Sequence, residues 1–336
     1  MNPYIKKVFR FNRWTNKYLR RSGVHNPATW IRHYSILLKA YFFKHFSLDE
    51  LEYYNYITLT EEQRKNLVPR KEDILFLRKV NNVTETSVLS DKAKCYRFFK
   101  DYYHRDVLAI SQGEAGLPQS KAAFVEFARR HGSVILKPIS ECEGRGVCLV
   151  EASKYDDTEL AGLVSSYSEG FMAEERIKQA DFMAAVHPGS VNTVRINTVR
   201  FDDEVEPLWP TWRIGRGGTV VDNYSAGGIS VTVDVRSGRT LRAVSKDKGQ
   251  YSTHPDTGVP LVGVTIPRWD EMLETVKRMA KMLTDIRFVG WDMALTNEGW
   301  VVVEANYEPD NKAWQRCSAE GIREDFERIK RRLNLG

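Results

Sequence analysis

Apolar positions recur with two periods along this chain, and the switches between them mark its elements. "PRWDEMLETVKRMAKMLTDI" (267–286) keeps Met272, Val276, Met279 and Leu283 on one helical face, with Pro267 suited to the first turn. "SKAAFVEFARRHG" (120–132) reads as a second helix, with Ser120 as its cap and Gly132 as its terminator. A further helix is expected near 157–168, and another from Ser90 or Asp91 through "KAKCYRFFKDYY". Period-two segments alternate with these helices: "SVILKPI" (133–139), "VCLVE" (147–151), the start of "FMAEERIKQAD" (171–181), "VNTVRINTVRF" (191–201), and strands separated by glycine-rich loops within 214–239. "SECEGRG" (140–146) joins the first two of these as an open hairpin tip. Residues 1–88 look mainly helical. The order of helices and antiparallel hairpins is an α+β pattern.

The last hairpin, "FVGWDMALTNEGWVVVEANYEPDN" (288–311), carries acids inside two apolar runs. With "NEG" (297–299) as a three-residue loop and Gly299 in the left-handed position, Asp292 pairs with Glu304, and Asn306 shares their face. Directly opposed like charges destabilise a bare sheet, so something must compensate them. Three oxygen ligands on one patch suit a hard cation such as Mg²⁺. The same acids also suit a structural cluster with Arg or Lys, and the hairpin alone leaves the two readings open.

Charge adds a second theme. Residues 1–48 hold ten Lys and Arg and no acid, so the chain's net +6 belongs to its N-terminal segment. Lys6, Arg10, Arg13, Lys17 and Arg20 recur at helical spacing beside a stripe of Tyr4, Val8, Phe11 and Tyr18. Such a basic amphipathic helix either packs its aromatics on the domain or lies on an anionic membrane surface. No nucleic-acid-binding motif accompanies it. No apolar run reaches a membrane span and no secretory leader is evident, which points to the cytoplasm, with peripheral contact at the inner membrane face open. Cys95, Cys142, Cys148 and Cys317 form no C-x-x-C pair, so neither a disulfide framework nor a zinc site is expected.

Mg²⁺ with few protein ligands ordinarily bridges phosphates. Neither a G-x-x-x-x-G-K-[ST] loop nor a G-x-G-x-x-G turn is present; the candidate cradle is Lys137 beside Gly144 and Gly146 in "ILKPISECEGRGV". The polar loop "VDNYSAGGI" (221–229) offers Asp222, Asn223 and Ser225 to a second substrate, or is a plain connector.

"SDKAKCYRFF", "VILKPISECEGRGV", "FMAEERI", "NTVRINTV" and "GWDMALTNEGWVVVEANYEPD" stand in the order and rough spacing of ATP-grasp proteins. The chain resembles the sugar-transfer-associated ATP-grasp group and, more distantly, D-alanine and glutamate ligases. The resemblance spans about 89–315 and implies two α+β lobes clamping ATP. It divides the chain into a basic helical region (1–88), a first lobe (89–180) and a second lobe with the C-terminal helix (181–336). The first 88 residues do not resemble the α/β domain that precedes many such lobes.

By the same resemblance, Lys92 and Lys137 would contact phosphates, with Lys94 a competitor for the first role. Glu174, Glu175 and Ile177 would line the adenine, and Asp181 would reach the ribose. Arg195 would neutralise the transferring phosphoryl group. Asp292, Glu304 and Asn306 would hold one or two Mg²⁺, with Mn²⁺ as the alternative. The expected activity is ATP-dependent carboxylate–amine ligation through an acyl phosphate, in polysaccharide or cell-surface glycan biosynthesis. A kinase using the same cradle and a non-catalytic nucleotide-binding scaffold are the rivals.

Overall fold

The computed structural model describes residues 2–82, 87–111, 113–114, 117–139, 146–219, 222, 227–246, 249–318 and 320–335. In chain order the helices are α1 Pro3–Arg21, α2 Pro27–Phe42, α3 Leu48–Tyr53, α4 Glu61–Asn66, α5 Arg70–Val80, α6 Ser87–Ser90, α7 Lys92–Phe98, α8 Pro118–His131, α9 Asp157–Leu163, α10 Asp181–Val186, α11 Trp269–Met282, α12 Lys312–Ser318 and α13 Arg323–Arg332. The strands are β1 Val107–Ile110, β2 Ser133–Pro138, β3 Cys148–Glu151, β4 Phe171–Glu175, β5 Thr193–Phe201, β6 Glu204–Ile214, β7 Ile229–Val233, β8 Thr240–Ser245, β9 Gly249–Tyr251, β10 Phe288–Leu295 and β11 Trp300–Asn306.

Two compact units result. The first joins residues 1–79 to 310–336; the second is Val80–Pro309. This differs from the expected boundaries, which put the C-terminal helix on the second lobe. The reason lies in side chains that sequence spacing does not pair. Arg323 forms ion pairs with Glu72, Gln315 accepts from the main chain of Val68, and Phe326 packs on Phe76 with ring centroids 4.9 Å apart.

Within the second unit, both sheets are antiparallel throughout. Four strands run in the order β1-β4-β2-β3 and seven in the order β11-β10-β5-β6-β7-β8-β9. The small sheet buries Val134, Leu136, Phe171 and Ala173 against Phe124 and Phe127 of α8. The large sheet buries Ile196, Trp212, Trp291 and Met293 with Met272, Val276 and Met279 of α11, the helical face read from the sequence. Cys95 of α7 and the following Phe99 and Tyr103 join this larger core, where Phe99 meets Trp291 edge-on at 5.3 Å. The segment that opens the expected first lobe therefore packs on the sheet of the second.

Helix starts depart from expectation in two places. Pro118 opens α8 at its first turn, so Ser120 lies buried inside the helix rather than capping it. Arg268 is the N-cap of α11 at φ 54°, which leaves Pro267 outside. Asp91 caps α7 through its side chain to the main-chain N–H groups of Ala93 and Lys94.

Candidate active site

Strand β10 is buried at every position, so its one ionised side chain needs partners inside the protein. Asp292 faces Arg195 of β5 on one side and Glu304 of β11 on the other. The Arg195 guanidinium grips it at 2.5 and 2.7 Å, and Arg213 of β6 adds a third contact at 3.2 Å. Burial pushes the Asp292 carboxyl up, but Arg195 and then Arg213 more than offset this and hold it below the usual carboxylate range. Asp222 completes the group, accepting from Thr193 N at 2.9 Å and Thr193 Oγ1 at 2.5 Å. Burial raises its carboxyl, Arg213 and Thr193 pull against that, and Asp292 adds to the rise. Asn223 and Ser225, named with Asp222 for a second substrate, lie outside the described residues.

The pairing of Asp292 with Glu304 is reached by a route other than the expected one. Leu295 pairs with Trp300, so the connection is the four residues 296–299, tied by the Thr296 hydroxyl, which donates to Gly299 O and accepts from Gly299 N. Gly299 has φ 155°, outside the left-handed helical well expected for it. A bulge after Asp292 shifts the register by one residue and restores the Asp292–Glu304 pair.

Glu304 is part-buried, and among the described residues its carboxylate makes no ion pair or hydrogen bond. Asn306, two residues on, has a buried amide nitrogen without a partner among the described residues. The Glu304 carboxylate and the Asn306 amide oxygen, with Asp292 across the ladder, make an all-oxygen donor set that fits a hard divalent cation. Asp292 differs from the other two: both of its oxygens are already held by arginine.

The small sheet supplies positive charge. Lys137 is buried near the end of β2 and forms an ion pair with Glu174 of the adjacent β4. Glu174 also accepts from Arg105 Nε at 2.9 Å and Nη2 at 2.7 Å. Burial raises its carboxyl, and Arg105 and Lys137 together bring it below the ordinary value. Arg105 in turn donates to Val302 O of β11 at 2.8 Å, so it links the partner of Lys137 to the strand that carries Glu304. Buried Cys95 lies where both ends are felt: burial pushes its thiol up to about 11, Glu304 adds to this, and Lys137 opposes it. Lys92, the first residue of α7, places Nζ 3.4 Å from Ile139 O, just past β2, while Lys94 is exposed. Gly146 has φ 69°, and a Cβ there would meet the Pro138 ring at 3.2 Å. Gly144 lies outside the described residues.

The segment expected to read a base follows β4. Glu174 itself sits inside the sheet, its main chain between β1 and β2 and its side chain in the ion cluster. Glu175 accepts from Asp106 N at 3.2 Å, and Ile177 lies part-buried beyond the strand end. Gln179 bridges to Thr296, and Ala180 N donates to Leu295 O at 2.7 Å, so this segment runs beside the turn of the last hairpin. Asp181 opens α10 with its side chain exposed and its N–H 3.2 Å from Asn297 Oδ1.

Arg105 and Arg213 were not singled out from the sequence. Arg213 sits in "LWPTWRIG", a cation inside an apolar strand, the same signal that singled out Asp292. Arg105 follows an irregular turn and carries no such signal. Elsewhere, His187, His254 and Asp256 bring ligand-capable atoms within 4.8 Å of one another. The two imidazole Nε2 atoms lie 3.2 Å from Thr219 O and 2.9 Å from Gly215 O, where they fasten the loop after β6.

Residues 71–331 match the family model described as sugar-transfer associated ATP-grasp. No curated protein matches the sequence. The fold is that of D-alanyl-alanine synthetase A from Vibrio cholerae O1 biovar eltor, at 14% identity and a TM-score of 0.50, covering 76% of this chain and 67% of that one. The ATP-grasp ligase PsnB complexed with a minimal precursor follows at 14% identity and 0.46, covering 75% and 64%. The D-alanine-D-alanine ligase from Coxiella burnetii gives 12% and 0.45, covering 76% and 61%. The chain thus spans about two thirds of the length of these structures.

Proposed function

This chain belongs to the sugar-transfer-associated ATP-grasp family, and we propose that it is an ATP-dependent carboxylate–amine ligase acting in glycan or cell-surface conjugate assembly. The observation that carries the reading is the chain of contacts from Lys137 through Glu174 and Arg105 to Val302 O, which links a buried lysine to the strand that carries Glu304. A nucleotide polyphosphate needs both: fixed cations for its oxygens and a carboxylate set for its metal.

In this reading a substrate carboxylate oxygen attacks the γ-phosphorus of ATP, an O–P bond forms, and the bond to ADP breaks. An amine then attacks the acyl carbon, phosphate leaves with the C–O bonding pair, and the amine proton passes to solvent or phosphate. Lys137 and Lys92 orient the phosphates. Glu174 and Arg105 hold Lys137 in place, so little reorganisation is needed during transfer. Arg195, fixed against Asp292, presents positive charge on the face that carries Glu304. Glu304 and Asn306, with Asp292 beside them, would hold Mg²⁺, which would supply charge neutralisation at the phosphate oxygens. Ile177 and Asp181 are the proposed contacts for adenine and ribose, with Glu175 at the hinge.

The test is incubation with Mg-ATP and a library of amino acids and uronic acids, reading ADP, phosphate and product mass. Release of ADP and phosphate with a mass gain matching amide condensation supports the ligase. A product heavier by a phosphoryl group makes the protein a kinase, and ATP binding with no turnover across the library makes it a nucleotide-binding scaffold.

A further inference from the structure

We propose that the start of α1 is a docking surface for an anionic lipid bilayer. The sequence left two fates for the aromatics of this basic helix, and the structure divides them. Phe11, Thr15, Tyr18 and Leu19 are buried, so the helix is anchored to its own unit through one face. Tyr4 and Phe9 are not: they are 65% and 64% exposed, and Ile5 is 45% exposed. Ile5 and Phe9 stand four residues apart and so share a face of the helix. They lie between the buried face and the one carrying Lys6, Arg10, Arg13 and Lys17.

The end of α2 packs on the other side of α1, where Phe11 lies against the rings of Tyr41 and Phe42. Tyr4 meets the Phe42 ring at 6.4 Å, and Lys7 Nζ lies 5.0 and 5.2 Å from the rings of Tyr41 and Phe42. The next residue, Phe43, is 74% exposed and is followed by Lys44. No acid occurs anywhere in residues 1–48.

A helix face that met only water would carry polar side chains at positions 5 and 9. A polyanion such as a nucleic acid would use the cations and leave the aliphatic Ile5 without a partner. A bilayer surface satisfies both sets, because anionic headgroups face the lysines and arginines while Ile5 and Phe9 reach the acyl boundary ~5–10 Å below them. No helix among the described residues is long and apolar enough to cross a membrane, so the contact is interfacial. This inference does not depend on the ligase reading.

The full chain is sedimented with vesicles of phosphatidylcholine alone and with vesicles enriched in phosphatidylglycerol, at low and high salt. Binding is expected at least tenfold stronger to the anionic vesicles and weakened by salt. Phe9→Glu is expected to abolish it, and Lys6→Glu to reduce it by about fivefold or more, each variant keeping the circular dichroism of the parent. Equal binding to both vesicles, or no binding to either, overturns the proposal. Retention on heparin that depends on Lys6 and Arg10 but not on Phe9, without vesicle binding, reassigns the surface to a polyanionic partner and overturns it too.

Discussion

Asp292→Asn and Glu304→Gln, made separately and unfolded in urea with chelator present, should part sharply in stability. Asp292 has a side chain 7% exposed and faces guanidiniums 13% and 19% exposed, at 2.5 and 3.2 Å. Removing one partner of a buried pair typically costs ~3–5 kcal/mol, because the remaining charge stays desolvated. Here the amide oxygen of Asn still accepts one bond and Asp222 remains near Arg213, so a loss of about 3 kcal/mol is expected for Asp292→Asn. Glu304 has no such partner among the described residues and faces a carboxylate already neutralised by arginine. Glu304→Gln should therefore change stability by no more than ~0.5 kcal/mol, while ADP release with Mg-ATP falls by ~10²–10³-fold. Tryptophan fluorescence gives the unfolding curves, and repeating them with Mg-ATP isolates the ligand-linked gain, ~2.7 kcal/mol for the parent at a hundred times Kd. That gain should shrink in Glu304→Gln. If Glu304→Gln destabilises the metal-free protein as much as Asp292→Asn does, Glu304 belongs to the ion cluster and the metal assignment fails.

Lys137→Met should leave Glu174 paired with Arg105, so the protein remains folded while turnover drops by about 10²-fold or more; near-normal ADP release would remove Lys137 from the phosphate site. Asp73 gives a pH test of the first unit: burial, opposed by Arg70 and Asn311 and reinforced by Asp310, pushes its carboxyl up to about 6 from 3.8. The folded state then holds the proton more tightly than the unfolded chain, so stability should fall as pH rises from 4 to 6, by up to roughly 3 kcal/mol. Urea midpoints across that range should lose this slope in Asp73→Asn, and an unchanged slope would show that another group causes it. Gly238→Ala should lower the thermal midpoint and cost about 2–4 kcal/mol, since φ is 68° there and a Cβ would stand 2.5 Å from the Trp269 indole. A neutral outcome would mean that the turn before β8 repacks freely.

How far the sequence could be read depended on whether a signal was local. The apolar face of α11 and the glycine that ends α8 are set by neighbours within a turn or two, and both stand in the structure as read. The Asp292 carboxylate was conspicuous because a charge in an apolar strand is costly wherever its partner lies. Its partners are a different matter. Arg195 and Arg213 are 97 and 79 residues away, and only the order β10-β5-β6 brings them to its side. The placement of the C-terminal helix failed for the same reason: Phe326 and Ile329 announce a buried face but do not name what covers it. Glu174 was assigned by resemblance to the adenine end, yet its side chain serves Lys137, because β4 is an interior strand and a charge on it must be matched within the sheet.

The Asp292–Glu304 pair shows why a correct contact does not establish the reasoning behind it. A three-residue loop would have paired the two acids with an unbroken ladder. The actual four-residue connection pairs Leu295 with Trp300, and continuing that register would set Asp292 against Val303 and turn Glu304 to the opposite face. The bulge between Asp292 and its successor cancels the slip. It leaves Val302 and Glu304 on different faces although they are two residues apart, so β11 can present Glu304 and Asn306 to the charged side of the sheet while Val302 stays in the core. Arg105 holds the Val302 carbonyl at that point, which ties the aim of Glu304 to the same guanidinium that steadies Glu174 and, through it, Lys137. The two ends of the proposed site are thus linked through one side chain rather than carried by two independent strands.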